Sequence, residues 1–169
     1  PLRTGILVLD GVAYAGAGMF PSEVVHILAF SAANGKEQWR ATQTDLPAQG
    51  YLLVSDDRVY VPGGRSNPVV LNRADGKRLR TVSGSGGTYA LLTGNTLVFG
   101  PGRKGQLGLV PDESKDIFAT FAGNHMIVSG EKSYLHADKE LSVLDRVRYL
   151  KLEGERKQVA AKREQLGKQ

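Results

Sequence analysis

Cysteine is absent from the 169 residues, which excludes disulfides, thiolate nucleophiles and cysteine-based zinc sites. The compartment stays open on that count, because a well-packed exported domain needs no disulfide. Aromatic residues make up only 7%, with Trp39 the single tryptophan, against 21 glycines and 7 prolines. That balance points to many turns and short strands rather than a helical bundle. No run approaches the roughly 18 to 20 consecutive apolar residues of a spanning helix, so no membrane span is expected. The opening PLRTGILVLDG has neither a signal-peptide core nor an initiating methionine and reads as part of a longer protein. With 41% hydrophobic residues the chain can bury one core but not two large domains.

The net charge of +5 is unevenly placed. Residues 1 to 144 carry 14 Lys plus Arg against 13 Asp plus Glu, whereas residues 145 to 169 carry 8 against 4. The body is nearly neutral and the basicity sits in the tail, so a nucleic-acid-binding face is not expected.

Self-comparison reveals repetition, the feature that governs the fold when present. LLVSDDRVYVPGG and LLTGNTLVFGPGR align with Val54 on Leu92 and Val61 on Phe99, and the same offset places Leu71 on Leu109 and Lys77 on Lys115. Upstream, LVLDGVAYAG places Asp10 on Asp56 and Tyr14 on Tyr60, and AANGK falls on RADGK; downstream, MIVSGEKSYL places Tyr134 on Tyr60. Each unit of about 40 residues contains a short apolar run, a tight turn such as Asp10-Gly11 or Asp56-Asp57, an alternating run, a Gly/Pro-rich loop, a third apolar run, a second turn at Asn34-Gly35 or Asp75-Gly76, and a fourth strand. Four antiparallel strands in that span describe one blade of a β-propeller. The expected units are about 5–43, 50–83, 88–122 and a partial 124–145, so that residues 1–137 form the blades. A helical solenoid needs apolar spacings of three and four, which this part of the chain lacks, and a leucine-rich repeat is shorter.

The stretch ILAFSAANGKEQWR (27–40) resembles the repeat of quinoprotein-type β-propellers, the pyrroloquinoline-quinone-like (PQQ-like) repeat family. The family pattern Ala-Leu-Asp-Ala-x-Thr-Gly-Lys-x-x-Trp is met with Phe30 and Ser31 at Leu-Asp and Asn34 at Thr. The resemblance spans about residues 5 to 145 and weakens by the third copy. It implies an all-β partial propeller of about three and a half four-stranded blades, cut from a larger propeller protein. It also implies that the outer-strand tryptophan packs on the neighbouring blade's turn, a position held here by Trp39, Arg80 and Phe118. Trp39 is accordingly read as structural, and Arg80 departs from the pattern.

Residues 138–169 are expected to form a charged C-terminal helix instead of continuing the repeat, interrupted at Gly154. Leu152, Val159 and Leu166 recur every seven residues, a thin apolar stripe. A solvated appendage, a coiled-coil or partner-docking segment, and a basic surface-binding helix all remain open for it. A part-propeller leaves two broad blade faces uncovered, so either dimerisation or capping by this helix is expected.

No residue is assigned a catalytic, cofactor-binding or metal-binding role. His26, His125 and His136 show no HExxH or close His-x-His spacing. Gly84-Ser85-Gly86-Gly87 and Gly100-Pro101-Gly102 lack the Walker Lys-Ser/Thr and read as turns. Asp56-Asp57 and Asp112-Glu113 are carboxylate pairs in hairpin turns, where local hydrogen bonding favours such residues. Two functions remain. One is a non-catalytic scaffold binding a protein partner or the remaining blades of its parent, with a homodimer as a variant and a periplasmic or otherwise exported location implied by the resemblance. The other is a segment of a PQQ-dependent oxidoreductase, using PQQ and calcium, whose catalytic residues lie outside this chain.

Overall fold

A computed structural model describes residues 1–167 apart from 65, 85, 88, 95, 102–104 and 113. Strands β1 (Leu7–Leu9), β2 (Val12–Gly18), β3 (Val25–Ser31) and β4 (Glu37–Gln43) form the first sheet, and β5 (Leu53–Val54), β6 (Arg58–Gly63), β7 (Ser66–Asn72) and β8 (Arg78–Thr81) the second. The third contains β9 (Tyr89–Thr93), β10 (Thr96–Gly100), β11 (Gln106–Pro111) and β12 (Ala119–Ala122). The fourth has three strands, β13 (His125–Ser129), β14 (Lys132–Ala137) and β15 (Glu140–Asp145). Every sheet is antiparallel with neighbours in sequence order, the meander of a propeller blade. The expected all-β partial propeller is what the chain forms.

The turns explain why the meander closes so tightly. Asp10 and Gly11 both have positive φ, +49° and +74°, the geometry of the two-residue hairpin whose twist matches that of its strands. Asn34 and Asp75 each accept a hydrogen bond from the backbone two residues on, at Lys36 and Lys77, both 3.0 Å.

Burial shows how the blades stack. Tyr14, Ile27 and Trp39 of the first blade join Val59, Val61, Val69 and Leu71 of the second in one buried cluster. Tyr60 and Val70, alternating with those residues along the same strands, join Leu97, Phe99 and Val110 of the third blade. Both faces of β6 and β7 are therefore covered, which is why these strands read as nearly continuous apolar runs. In the fourth blade β14 alternates strictly between exposed and buried residues over its first five positions, because only one face of the sheet is covered. That face packs on the third blade through Met126 and Leu135.

Helix α1 spans Arg146–Leu166. The span expected for it, 138–169, began too early: residues 140–145 pair with β14, from Ala137↔Glu140 to Lys132↔Asp145. The hydrogen-bond energy of a third strand outweighs the helix propensity of that stretch. Asp145 caps the helix, its Oδ1 accepting from the Arg148 N–H at 2.9 Å. The expected interruption at Gly154 does not occur either. One mid-helix glycine costs about 1 kcal/mol, and the helix is held on both sides of it, by Tyr149 and Leu150 in the third core cluster and by Lys157 over Phe118.

Candidate functional site

The residues singled out by the repeat meet at the boundaries between blades. Trp39 lies 8% exposed on β4, its Nε1–H donating to the Arg73 carbonyl at 2.8 Å. Its ring covers Gly76 in the turn between β7 and β8 so closely that a Cβ there would lie 2.5 Å from a ring carbon. The tryptophan thus packs on its neighbour's turn, as the repeat implied. Tyr14 stands beside it at a ring separation of 6.0 Å.

Arg73 completes this first seam. Its guanidinium donates to the Tyr14 hydroxyl at 2.9 Å, to Asp10 Oδ2 at 2.8 Å and to the carbonyls of Ser55 and Asp56 at 3.3 Å. At the rim Arg78 pairs with Asp45 at 2.7 Å and holds that carboxyl below its usual range. A groove of about 400 Å³ opens beside the seam, lined by Val12, Tyr14, Gln38, Asp57, Asn72 and Arg73. The cation among these lining residues, half-buried Arg73, is already committed to five oxygen acceptors, the fifth being the Leu9 carbonyl at 3.5 Å.

The second seam is built differently. Arg80, at the position of Trp39, reaches toward Asp112 in the next blade's turn, 3.8 Å away and only 7% exposed in its side chain. Arg58 pairs with the same carboxylate at 2.6 Å, and the Tyr60 hydroxyl donates to it. Burial, followed by the hydrogen bond to Asp112 and its charge, pushes the Tyr60 hydroxyl well above the usual phenol range. The charges are exchanged relative to the first seam: there the following blade supplies the cation, Arg73, whereas here the preceding blade supplies Arg58 and Arg80.

At the third boundary the helix takes the role of the turn. Arg146 N–H donates to Glu131 O at 2.8 Å, just as Arg73 N–H donates to Asp57 O at 2.9 Å, so the two arginines occupy equivalent positions. Arg146 likewise crosses to the preceding blade, donating to Thr93 Oγ1 at 2.7 Å. Phe118, third in the Trp39 series, meets Lys157 of the helix, whose Nζ lies 4.5 Å above the ring. The helix therefore docks along the third and fourth blades and does not cap the free sheet face, contrary to the capping expected of it. That face presents the cross-strand row Ile127, Tyr134 and Val143, exposed by 69%, 38% and 57%.

The remaining candidates stay apart. His26 contacts Thr42 Oγ1 at 3.1 Å on the first blade, while His125 and His136 are cross-strand partners on the fourth with ring centroids 6.1 Å apart. Among the described residues no three or more His, Cys, Asp or Glu side chains are grouped to hold a metal ion. Asp112, the one buried carboxylate residue among those described, is paired with Arg58. Asp56 and Asp57 lie in the β5–β6 turn as expected. Ser85, Gly102 and Glu113, named in the loop and carboxylate motifs, lie outside the described residues. Arg73 was not singled out from the sequence, and Asp112 was named only as a turn carboxylate, whereas it is buried in the seam; the signal available was a charged residue at the second turn of the second and third repeats, facing an aligned tyrosine one blade earlier.

Successive four-stranded meanders joined by a tryptophan, a turn and an arginine define the chain as a partial propeller of PQQ-like repeats. A family model described as outer membrane protein assembly factor BamB matches residues 4–96 and 23–146, and the chain belongs to that family. No curated protein matches the sequence. Among solved structures, BamB from Moraxella catarrhalis is similar with a TM-score of 0.71 at 18% identity, over 87% of this chain and 47% of that one. The computationally designed Ika4 protein is similar at 0.66 and 12% identity, over 86% of this chain and 91% of that one. A europium-containing methanol dehydrogenase is similar at 0.55 and 15% identity, over 73% of this chain and 25% of that one. These likenesses describe the fold, and the chain spans less than half the length of the BamB structure. Among the described residues no helix is long and apolar enough to cross a membrane, which leaves β-barrels unaddressed.

Proposed function

We propose that this chain is a non-catalytic scaffold module: a run of propeller blades that presents sheet faces to protein, in an exported or periplasmic setting, in keeping with the family description as an outer membrane protein assembly factor. The observation that carries this reading is the open face of the fourth blade. Its row Ile127, Tyr134 and Val143, with Leu141 beside it at 69% exposure, repeats the surface that the second and third blades bury against their successors. Tyr134 is the repeat equivalent of Tyr14 and Tyr60, each of which reaches a charged residue of the next blade's turn. Further blades of a longer parent chain are the natural occupants, and a second copy of this chain is the variant. Sedimentation velocity on the chain and on Ile127→Asp/Val143→Asp distinguishes them. A concentration-dependent dimer abolished by the double variant supports the second copy; a monomer at all concentrations that binds the remaining parental blades in trans supports the first. Failure of both would overturn the docking role of this face.

A segment of a quinone-dependent dehydrogenase is the second reading, favoured only by the fold likeness to the methanol dehydrogenase. Reconstituting the full-length protein with PQQ and calcium and observing alcohol or sugar oxidation would displace the scaffold reading.

A further inference from the structure

Helix α1 has two sides with different fates. Its contacts to the blades run through Arg146, Tyr149, Leu150 and Lys157. A second set, Leu152, Arg156, Val159, Arg163 and Leu166, is spaced four and three residues apart alternately and is centred about 120° around the helix from the first, at 3.6 residues per turn. Leu152, Val159 and Leu166 are 53%, 66% and 70% exposed, and every residue from 155 to 167 is exposed. This is the two-position stripe of a coiled coil, aliphatic at one position and arginine at the other.

We propose that this stripe docks an acidic amphipathic helix of another protein, with aliphatic residues facing Leu152, Val159 and Leu166 and Glu or Asp facing Arg156 and Arg163. The charge pattern selects the occupant. In a pairing of two copies, parallel or antiparallel, the stripe itself sets arginine against arginine, and the carboxylate that Arg156 already holds, on Glu153, comes from its own helix, so nothing on the facing stripe offsets the repulsion. Against carboxylates the same arginines form charge-assisted pairs that set partner choice. An anionic membrane surface is the poorer fit: the apolar residues form a single line interrupted by charge, without the broad face or the large aromatic residues that bury into lipid. Arg156 is already extended along this side, paired with Glu153 at 2.5 Å and 73% exposed, so exchanging that partner for another carboxylate needs little rearrangement.

This inference is independent of the sheet-face reading, because its residues lie beyond the blades. The test uses the whole chain and two labelled 21-residue peptides with leucine at the aliphatic positions and either Glu or Lys at the positions facing the arginines. Fluorescence anisotropy in low salt should show the Glu peptide binding at least 10-fold more tightly than the Lys peptide, with the difference shrinking in 0.5 M salt. R156E/R163E should reverse the order, and L152S/V159S should weaken the Glu peptide at least 10-fold. L152S/V159S should keep the melting temperature of the chain, since both side chains are more than half exposed, and R156E/R163E should lower it only slightly, through the lost exposed pair with Glu153. Equal binding of the two peptides, no binding of the Glu peptide, self-association lost in L152S/V159S, or cosedimentation with phosphatidylglycerol vesicles that the Glu peptide fails to displace would each overturn the proposal.

Discussion

The first and second seams join the same kind of blade through the same strand positions, yet one is aromatic and the other ionic. In the first, the buried contact is Trp39 on the Gly76 turn, and the ion pair of Arg73 with Asp10 reaches the surface, where Asp10 is 69% exposed. In the second, Arg80 replaces the tryptophan and the carboxylate it approaches, on Asp112, is buried with Arg58 and Tyr60 around it. A repeat fold thus specifies a position to be filled by something that spans the gap, not a chemistry. The exchange of charge between the two seams has a consequence: a blade that accepts Arg73 from its neighbour is mismatched to one that expects Asp112. Each blade is coded for its successor, whereas apolar stacking alone would tolerate slippage between copies.

Removing the central group of each seam tests the contrast most severely. Trp39→Ala should cost about 3 to 5 kcal/mol, the range for deleting a buried large aromatic, measured by chemical denaturation followed by circular dichroism because the only tryptophan is lost. Asp112→Ala removes the carboxylate that the half-buried Arg58 and Arg80 share, leaving Arg58 the more exposed Asp57 at 3.4 Å, and should cost about 3 kcal/mol; a loss below about 1 kcal/mol would show that the second seam is held by its apolar residues alone. A smaller effect, about 1 to 3 kcal/mol, is expected for Gly76→Ala, since the added methyl meets the Trp39 ring and φ at this residue is +70°. Alanine at Gly35, the matching turn residue with nothing within 4 Å, should cost less.

The pH response should separate the seams as well. The Tyr60 hydroxyl binds its proton more tightly in the folded chain than in the unfolded one, so its contribution is complete below the unfolded tyrosine pKa of about 10 and is lost as pH rises beyond it. Denaturant midpoints between pH 8 and 11 should fall less steeply for Tyr60→Phe than for the native chain. Asp45 has the opposite sign. Its pKa is lowered by the hydrogen bond from Arg78, so its contribution is present above about pH 4 and disappears as pH falls. The pair is open to water, and Asp45→Asn should cost no more than about 1 kcal/mol at neutral pH; parallel acid titrations of the native and variant chains would detect a larger role.

Much of this was legible without coordinates because a repeat writes the same constraint several times. Aligned tyrosines, turn pairs and the Trp39 motif locate four sheets, their turns and the packing of Trp39 on the next blade, since each depends on local spacing and on a residue type suited to one conformation. The end of the fourth sheet was less legible. Residues 140–145 carry no turn or propensity signal strong enough to separate a strand from a helix start, and only pairing with β14 decides it.

What the sequence by itself determined, then, is the blade and the order of blades, because strand alternation and two-residue turns are short-range properties of the chain. Tertiary structure alone decided which charges meet. Arg73 with Asp10 and Arg58 with Asp112 lie 63 and 54 residues apart, and no local pattern distinguishes these arginines from those left in solvent. It likewise decided that α1 follows the third and fourth blades and leaves Ile127, Tyr134 and Val143 open. That choice rests on Tyr149, Leu150 and Lys157 finding Phe118 and Phe121 across the third seam, a contact between distant segments that only the packed fold creates.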